Sequence, residues 1–322
     1  MMPFSDLARY VAKRFKHDRL SAFIWRMLRF CYVAPFIPLM NLYITKITSN
    51  KPVFKIINGS WMVLNPRQKG IDRDLIACGV REPYMTDIVG SLLKRGDIVV
   101  DIGANIGYYA LLECSMVGRL GHVYAIEPVP DNCERLAANV RLNQYANISV
   151  HQVAIGYKNR TQSMSLSEMC NMSTLERSDY RSYAKIIRVK VISLDDFMRG
   201  KPYPNLLRMD IEGYEYWLVK GASKLLSQDK PLRICMELHF DVLREKTAEM
   251  VKELECYGFH VASASVEPHP AVLRTGKMGV LKFFDNKIGV PTGNSNLSMD
   301  DLINNPIFQS GQVEDMEILF ER

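Results

Sequence analysis

Two short stretches hold most of the side chains that can do chemistry. The first, DIVVDIGANIGYYA over residues 97–110, is an apolar run ending in Asp101, a turn with Gly103, Asn105 and Gly107, and then a helix-forming stretch. Such a turn brings bare backbone and the start of a helix close to a small charged ligand. Its order is D-x-G-x-x-x-G rather than G-x-G-x-x-G, so it makes less provision for a pyrophosphate. An acid at the strand end suits a cationic amino group instead. Together these features point to S-adenosylmethionine (SAM), which carries an ammonium, a carboxylate and a sulfonium but no phosphate.

The second stretch, LLRMDIEGYEYWLVKGA over 206–222, gathers Asp210, Glu212 and Glu215 after an apolar strand. The next strand, ending in CMELHF, places Glu237 and His239 at the neighbouring edge. Alternate residues of an extended segment share a face, so Glu237 and His239 can act together. Acids with one histidine suit a general base that takes a proton from an attacking hydroxyl. The same set suits a divalent cation that lowers the hydroxyl's pKa, and residue types alone leave both open. Glu215 also fits a plain structural role at the start of the following helix. Glu127, twenty residues after Gly107 and just past HVYAI, is placed to accept hydrogen bonds from a ribose. Val153 and Ala154 follow the third strand, where an adenine would lie.

The elements that must position these groups alternate. Strand-like runs at 97–101, 122–126, 148–153, 205–210 and 232–237 are separated by helical stretches at 106–117, 131–143 and 213–226. Apolar strands alternating with helices predict a mostly parallel sheet covered on both faces. After a helix at 244–257, residues 258–266 and 277–285 are expected to form a terminal antiparallel strand pair. Asn58-Gly59 predicts a two-residue hairpin turn within 54–64. The polar segment 157–190 interrupts the rhythm. It reads either as an insertion that shapes a substrate site or as a surface hairpin.

Composition sets the frame. At 322 residues, 48% apolar and 24% charged, the chain has room for one large α/β domain plus an appendage. Residues 1–60 hold ten Lys or Arg against Asp6 and Asp18, a balance of +8; the other 262 residues carry 31 basic against 33 acidic side chains. Seven scattered cysteines, never spaced C-x-x-C, argue against a disulfide framework or structural zinc and for the reducing cytoplasm. The start is charged and lacks the pattern of a signal peptide. The most apolar run, 30–44, contains Pro35, Pro38 and Asn41 and suits a membrane interface better than a span. Residues 1–50 therefore either make a peripheral contact with the cytoplasmic membrane surface or form helices that cover the catalytic domain or make a dimer contact.

The segments GVREPYMTDIV (79–89), GDIVVDIGANIGYYAL (96–111), YAIEPVPDNCERLAANVRLN (124–143), VKVISLDDFM (189–198), LLRMDIEGYEYWLVKGA (206–222) and ICMELH (234–239) resemble the FkbM-type SAM-dependent methyltransferase family. The resemblance runs from about Ile56 to Phe240. It implies a class I, Rossmann-like methyltransferase fold: a mostly parallel seven-stranded sheet with helices on both faces and a terminal antiparallel strand pair. To this the chain would add an N-terminal helical extension.

The resemblance also implies O-methylation of a hydroxyl on a sugar, glycan, glycolipid or secondary metabolite. SAM contacts carried over by position are Asp101, Gly103, Asn105, Gly107 and Glu127, with Thr86 reaching toward the methionine carboxylate. The expected layout is a helical extension over 1–52, the methyltransferase domain over 53–290 and a loosely packed polar tail over 291–322. An RNA methyltransferase is disfavoured because Asp210-Ile211-Glu212-Gly213 stands where base-amine methyltransferases resemble one another in [D/N/S]-P-P-[Y/F], and because the excess charge lies outside the catalytic domain. A nicotinamide oxidoreductase is disfavoured by the missing G-x-G-x-x-G.

Overall fold

The computed structural model describes residues 46, 48, 51–167, 173–176, 184–265, 297–305, 308 and 315–322. A hairpin of β1 (Val53–Ile57) and β2 (Ser60–Leu64) turns at Asn58-Gly59, both at positive φ, as the dipeptide predicts. Helices α1 (Ile71–Cys78) and α2 (Pro83–Leu92) follow.

Five parallel strands then alternate with helices. They are β3 (Ile98–Ile102), β4 (His122–Ile126), β5 (Ile148–His151), β9 (Leu206–Met209) and β10 (Arg233–His239). Between them run α3 (Tyr108–Val117), α4 (Pro130–Leu142), α5 (Leu194–Met198), α6 (Glu215–Lys220) and α7 (Ser223–Leu226). After α8 (Phe240–Leu243) and α9 (Lys246–Cys256) come β11 (His260–Ser265), α10 (Met299–Asn304) and β12 (Asp315–Glu321).

The main sheet has the order β11-β12-β10-β9-β3-β4-β5, with β12 antiparallel to both neighbours. This corrects the expected extent of the domain. The strand between β10 and β11 comes from 315–321, within the segment expected to be a loose tail. Its run MEILF is buried, and Leu302 and Ile303 of α10 join the same core. The rarity of apolar residues just before it, in a stretch rich in Asn, Ser and Asp, hid a strand that needs only seven residues to fill an interior position next to the edge strand β11. The expected strand at 277–285 and the N-terminal extension lie outside the described residues.

Alternation along β3 and β9 sorts the core into two layers. Val100, Ile102, Leu207 and Met209 face the helices of the second half, while Val99 and Leu206 face the hairpin, α2 and α3. Asp101 and Arg208 fall on that second face. The register sets them directly opposite each other on adjacent strands. A separate three-stranded sheet, β6 (Ala154–Gly156), β8 (Lys185–Ser193) and β7 (Arg160–Leu166), supplies the insertion.

Candidate active site

A cleft opens at the carboxyl edge of β3, β4 and β9. Gly103, Asn105, Glu127, Ala154, Asp210 and Glu212 all line it, so the structure brings together six of the residues singled out in the sequence. Met164, Ser173 and Leu175 of the insertion close one side. The insertion therefore helps shape the cleft, which favours the first of its two sequence readings.

The turn after β3 is held by its neighbours. The amides of Gly103 and Ala104 donate to the Ile126 carbonyl, and the Asp210 amide donates to the Ile102 carbonyl at 3.1 Å. Gly103 has φ +87, and a Cβ there would overlap the Asp210 carbonyl. Glycine is thus required both by conformation and by the close approach of the two strand ends. Asn105 also adopts a left-handed conformation, φ +49, and its amide donates to Glu127 Oε2 at 2.9 Å. Glu127 Oε1 accepts from the Val129 amide at 2.8 Å. Burial pushes the Glu127 carboxyl up to about 7, against the opposing pull of those amides and of Asn132.

Behind the cleft is a buried charge network that the sequence reading missed. Arg208, 5% exposed, donates to Asp101 Oδ1 at 3.1 Å and Asp210 Oδ2 at 3.4 Å, and its guanidinium lies 3.8 Å from the Tyr109 ring centroid. Glu82 Oε2 is 4.0 Å away and accepts from the Tyr109 hydroxyl at 2.9 Å. Arg81 in turn pairs with Glu82. The available signal was a charged residue inside an otherwise apolar strand, LLRMD, since an unpaired arginine is not tolerated there.

Asp101, expected among the SAM contacts, belongs to this network. Its side chain is fully buried and does not line the cleft, because the strand's alternation turns it onto the face shared with Arg208. Burial raises the Asp101 pKa, and the nearby Asp210 adds to that, while Arg208 opposes both. Gly107, at φ +98, starts α3 and packs on Leu136 rather than lining the cleft. Thr86 also lies outside the lining: its hydroxyl donates to the Arg81 carbonyl at 2.9 Å and sits 3.0 Å from the Tyr108 hydroxyl.

The acids after β9 meet the end of β10. Glu212 has φ +56, and the Thr174 hydroxyl holds its carbonyl at 2.7 Å. Gly213 follows at φ +96, where a Cβ would strike Val242. His239, 2% exposed, pairs through Nδ1 with Glu215 Oε1 at 2.9 Å. Its Nε2 lies 3.4 Å from Glu212 and 3.9 Å from Glu237. Burial disfavours the charged imidazole, but Glu212, Glu215 and Glu237 outweigh it and raise the His239 pKa well above its ordinary value. Burial and Asp210 raise Glu237 well above the carboxylate range, despite His239. Glu215 accepts from the Gly213 amide at 3.1 Å as well, consistent with the structural role expected of it. His239 and Glu237 stand behind Glu212, outside the lining of the cleft. Two triads sharing Asp210, one with Glu212 and His239 and one with Glu82 and Glu237, each offer three ligand atoms within 4.8 Å of one another.

A seven-stranded sheet of this order, with the last strand antiparallel and the ligand cleft at the ends of its first, second and fourth strands, defines the class I, Rossmann-like methyltransferase fold. The methyltransferase FkbM domain model matches residues 101–261, half of the chain, and the protein belongs to that family.

Among its relatives is the hexuronic acid methyltransferase AglP of Haloferax volcanii, 27% identical over 174 residues that cover 52% of this chain and 67% of that protein. A protein-L-isoaspartate O-methyltransferase of Ignicoccus hospitalis is 40% identical over 58 residues, covering 18% of this chain and 28% of that protein. The match thus spans under a third of the second relative's length. A crystal structure of an FkbM methyltransferase from Methylobacillus flagellatus aligns with a TM-score of 0.33 and 19% identity, covering 47% of this chain and 39% of that one.

Proposed function

We propose that the protein is a SAM-dependent O-methyltransferase acting on a hydroxyl of a sugar, glycan or glycolipid. The observation that carries this reading is the position of Asp210. It lines the same cleft as Gly103, Asn105 and Glu127, and its buried Oδ1 has no hydrogen-bond partner. When bound, SAM supplies a methyl group on a sulfonium. The residues present fit that ligand. Bare backbone from Gly103 to Asn105 suits the methionine portion, Glu127 the ribose hydroxyls, and Val153, Ala154 and Ile155 the adenine.

The chain's own tasks are alignment, exclusion of water and removal of one proton. Asp210 is the base for the acceptor hydroxyl, with Arg208 Nη2 behind it at 3.4 Å from Oδ2. Glu212 borders the acceptor end of the cleft. Glu212, Glu215 and Glu237 raise the pKa of His239 and surround its ring. His239 keeps Glu212 and Glu215 in place and is a positioning residue, with Glu237 behind it.

The acids also bear on the acceptor. A carboxylate acceptor would meet like charge from Asp210 and Glu212, whereas a hydroxyl has a proton to give them. AglP, whose name states a hexuronic acid substrate, supports a sugar-class acceptor. Incubation with methyl-labelled SAM and extracts divided into glycolipid, polysaccharide, RNA and small-molecule pools tests the assignment. Label is expected in a carbohydrate-bearing pool, and label in RNA alone overturns it.

Glu127 gives a second test. If its carboxylate accepts the ribose hydroxyls, SAM binding favours the ionised form. Affinity is then full above the free enzyme's pKa of about 7 and falls as pH drops through it. Calorimetric titration of SAM from pH 8 to about 5.5 should show a decline approaching tenfold per pH unit below the pKa. A Glu127→Gln variant should bind more weakly at pH 8 and lose the pH dependence. An unchanged pH profile in that variant removes Glu127 from the ribose site.

A further inference from the structure

The β1–β2 hairpin presents apolar residues on both of its faces. Ile57, Met62 and Leu64 point inward and are buried at 2%, 1% and 0% exposure. On the outer face, Ile56 lies directly opposite Trp61 and Phe54 opposite Val63. Phe54, Ile56 and Trp61 are 62%, 55% and 47% exposed. A sheet with one packed face normally turns polar side chains to water on the other.

This face is also firmly mounted. The Trp61 and Val63 amides donate to the side chains of Asn143 and Asn139 at 2.7 and 2.9 Å, and Ser60 meets the Tyr145 hydroxyl at 2.8 Å. The hairpin is thereby fixed to α4 and the residues just after it. The chain leading into the hairpin carries the balance of +8 over residues 1–60 and the apolar run 30–44, while the rest of the molecule is slightly acidic. Among the described residues, no helix is long and apolar enough to cross a membrane.

We propose that the outer face of the hairpin docks on an anionic lipid surface, with Phe54, Ile56 and Trp61 entering the interface and the net charge of +8 over residues 1–60 drawing the chain to it. A bilayer satisfies both features at once. A cover made from the chain's own apolar run would shield the face but leave the positive charge without a partner. Exposed aromatic and aliphatic side chains next to clustered Lys and Arg are the combination that binds peripherally, each part adding to the other. The inference does not depend on which acceptor is methylated.

Co-sedimentation of the full chain with vesicles tests it. Binding is expected to vesicles of phosphatidylcholine plus phosphatidylserine, to be weak with phosphatidylcholine alone, and to fall with added salt. The variant Phe54→Ser/Ile56→Ser/Trp61→Ser should partition at least about tenfold less, with an unchanged thermal unfolding midpoint. In a Trp25→Phe/Trp217→Phe background, Trp61 fluorescence should shift to the blue on adding the anionic vesicles. Three outcomes overturn the proposal. They are equal partitioning of the triple variant, a Trp61 already shielded from acrylamide without vesicles, and a face whose substitution changes a dimer rather than vesicle binding.

Discussion

Replacing Asp210 by Asn is expected to lower turnover about 100- to 10,000-fold, the usual contribution of a positioned general base, while SAM affinity changes little. The amide keeps the shape of the carboxylate and one oxygen for Arg208 at the present 3.4 Å contact, but it cannot take a proton. The separation of effects matters more than the size of the loss. Stopped-assay turnover with saturating SAM, beside calorimetric SAM binding, reads both. A variant that turns over normally removes Asp210 from the chemistry. One that loses SAM binding instead makes it part of the cofactor site.

Removing the Arg208 side chain should have the largest effect on stability. Arg208→Ala leaves Asp101 fully buried without its cation, and breaking a buried pair in this way costs about 3–5 kcal/mol. The pH dependence has a definite sign. Burial already raises the folded-state pKa of Asp101, and losing Arg208 raises it further. Such a group favours folding below its unfolded pKa, and the advantage is lost as pH rises through the folded one. The deficit of the variant should therefore be larger at pH 8 than at pH 5. Urea unfolding at the two pH values measures it. Adding Asp101→Asn to Arg208→Ala should recover part of the loss, because the buried charge is then gone. A deficit independent of pH, with no recovery in the double variant, would mean that lost packing on Tyr109 dominates.

Much of the fold was legible because it depends on local patterns. The strand runs before Asp101, Glu127 and Asp210, the Asn58-Gly59 turn and the helices between them follow from short-range periodicity, and β4 coincides with the expected 122–126. The seventh strand was not legible. Whether MEILF at 316–320 belongs to a tail or to the interior of a sheet depends on the gap left between β10 and β11, and nothing local records that gap.

The candidate site divides in the same way. Gly103, Asn105, Glu127 and Asp210 could be placed at one edge from sequence because each follows a strand of a parallel sheet, and such ends converge. What each side chain faces was decided by register. Asp101 sits opposite Arg208 on the neighbouring strand, so it neutralises a buried guanidinium instead of reaching into the cleft. His239, eligible by type as a base, is surrounded by Glu212, Glu215 and Glu237, whose combined field raises its pKa. Sequence by itself determined which chemical groups reach the carboxyl edge, since strand order and spacing are encoded locally. Only the tertiary structure decided which of them are neutralised within the protein and which remain available to a ligand, because burial and pairing arise between residues as far apart in the chain as Asp101 and Arg208.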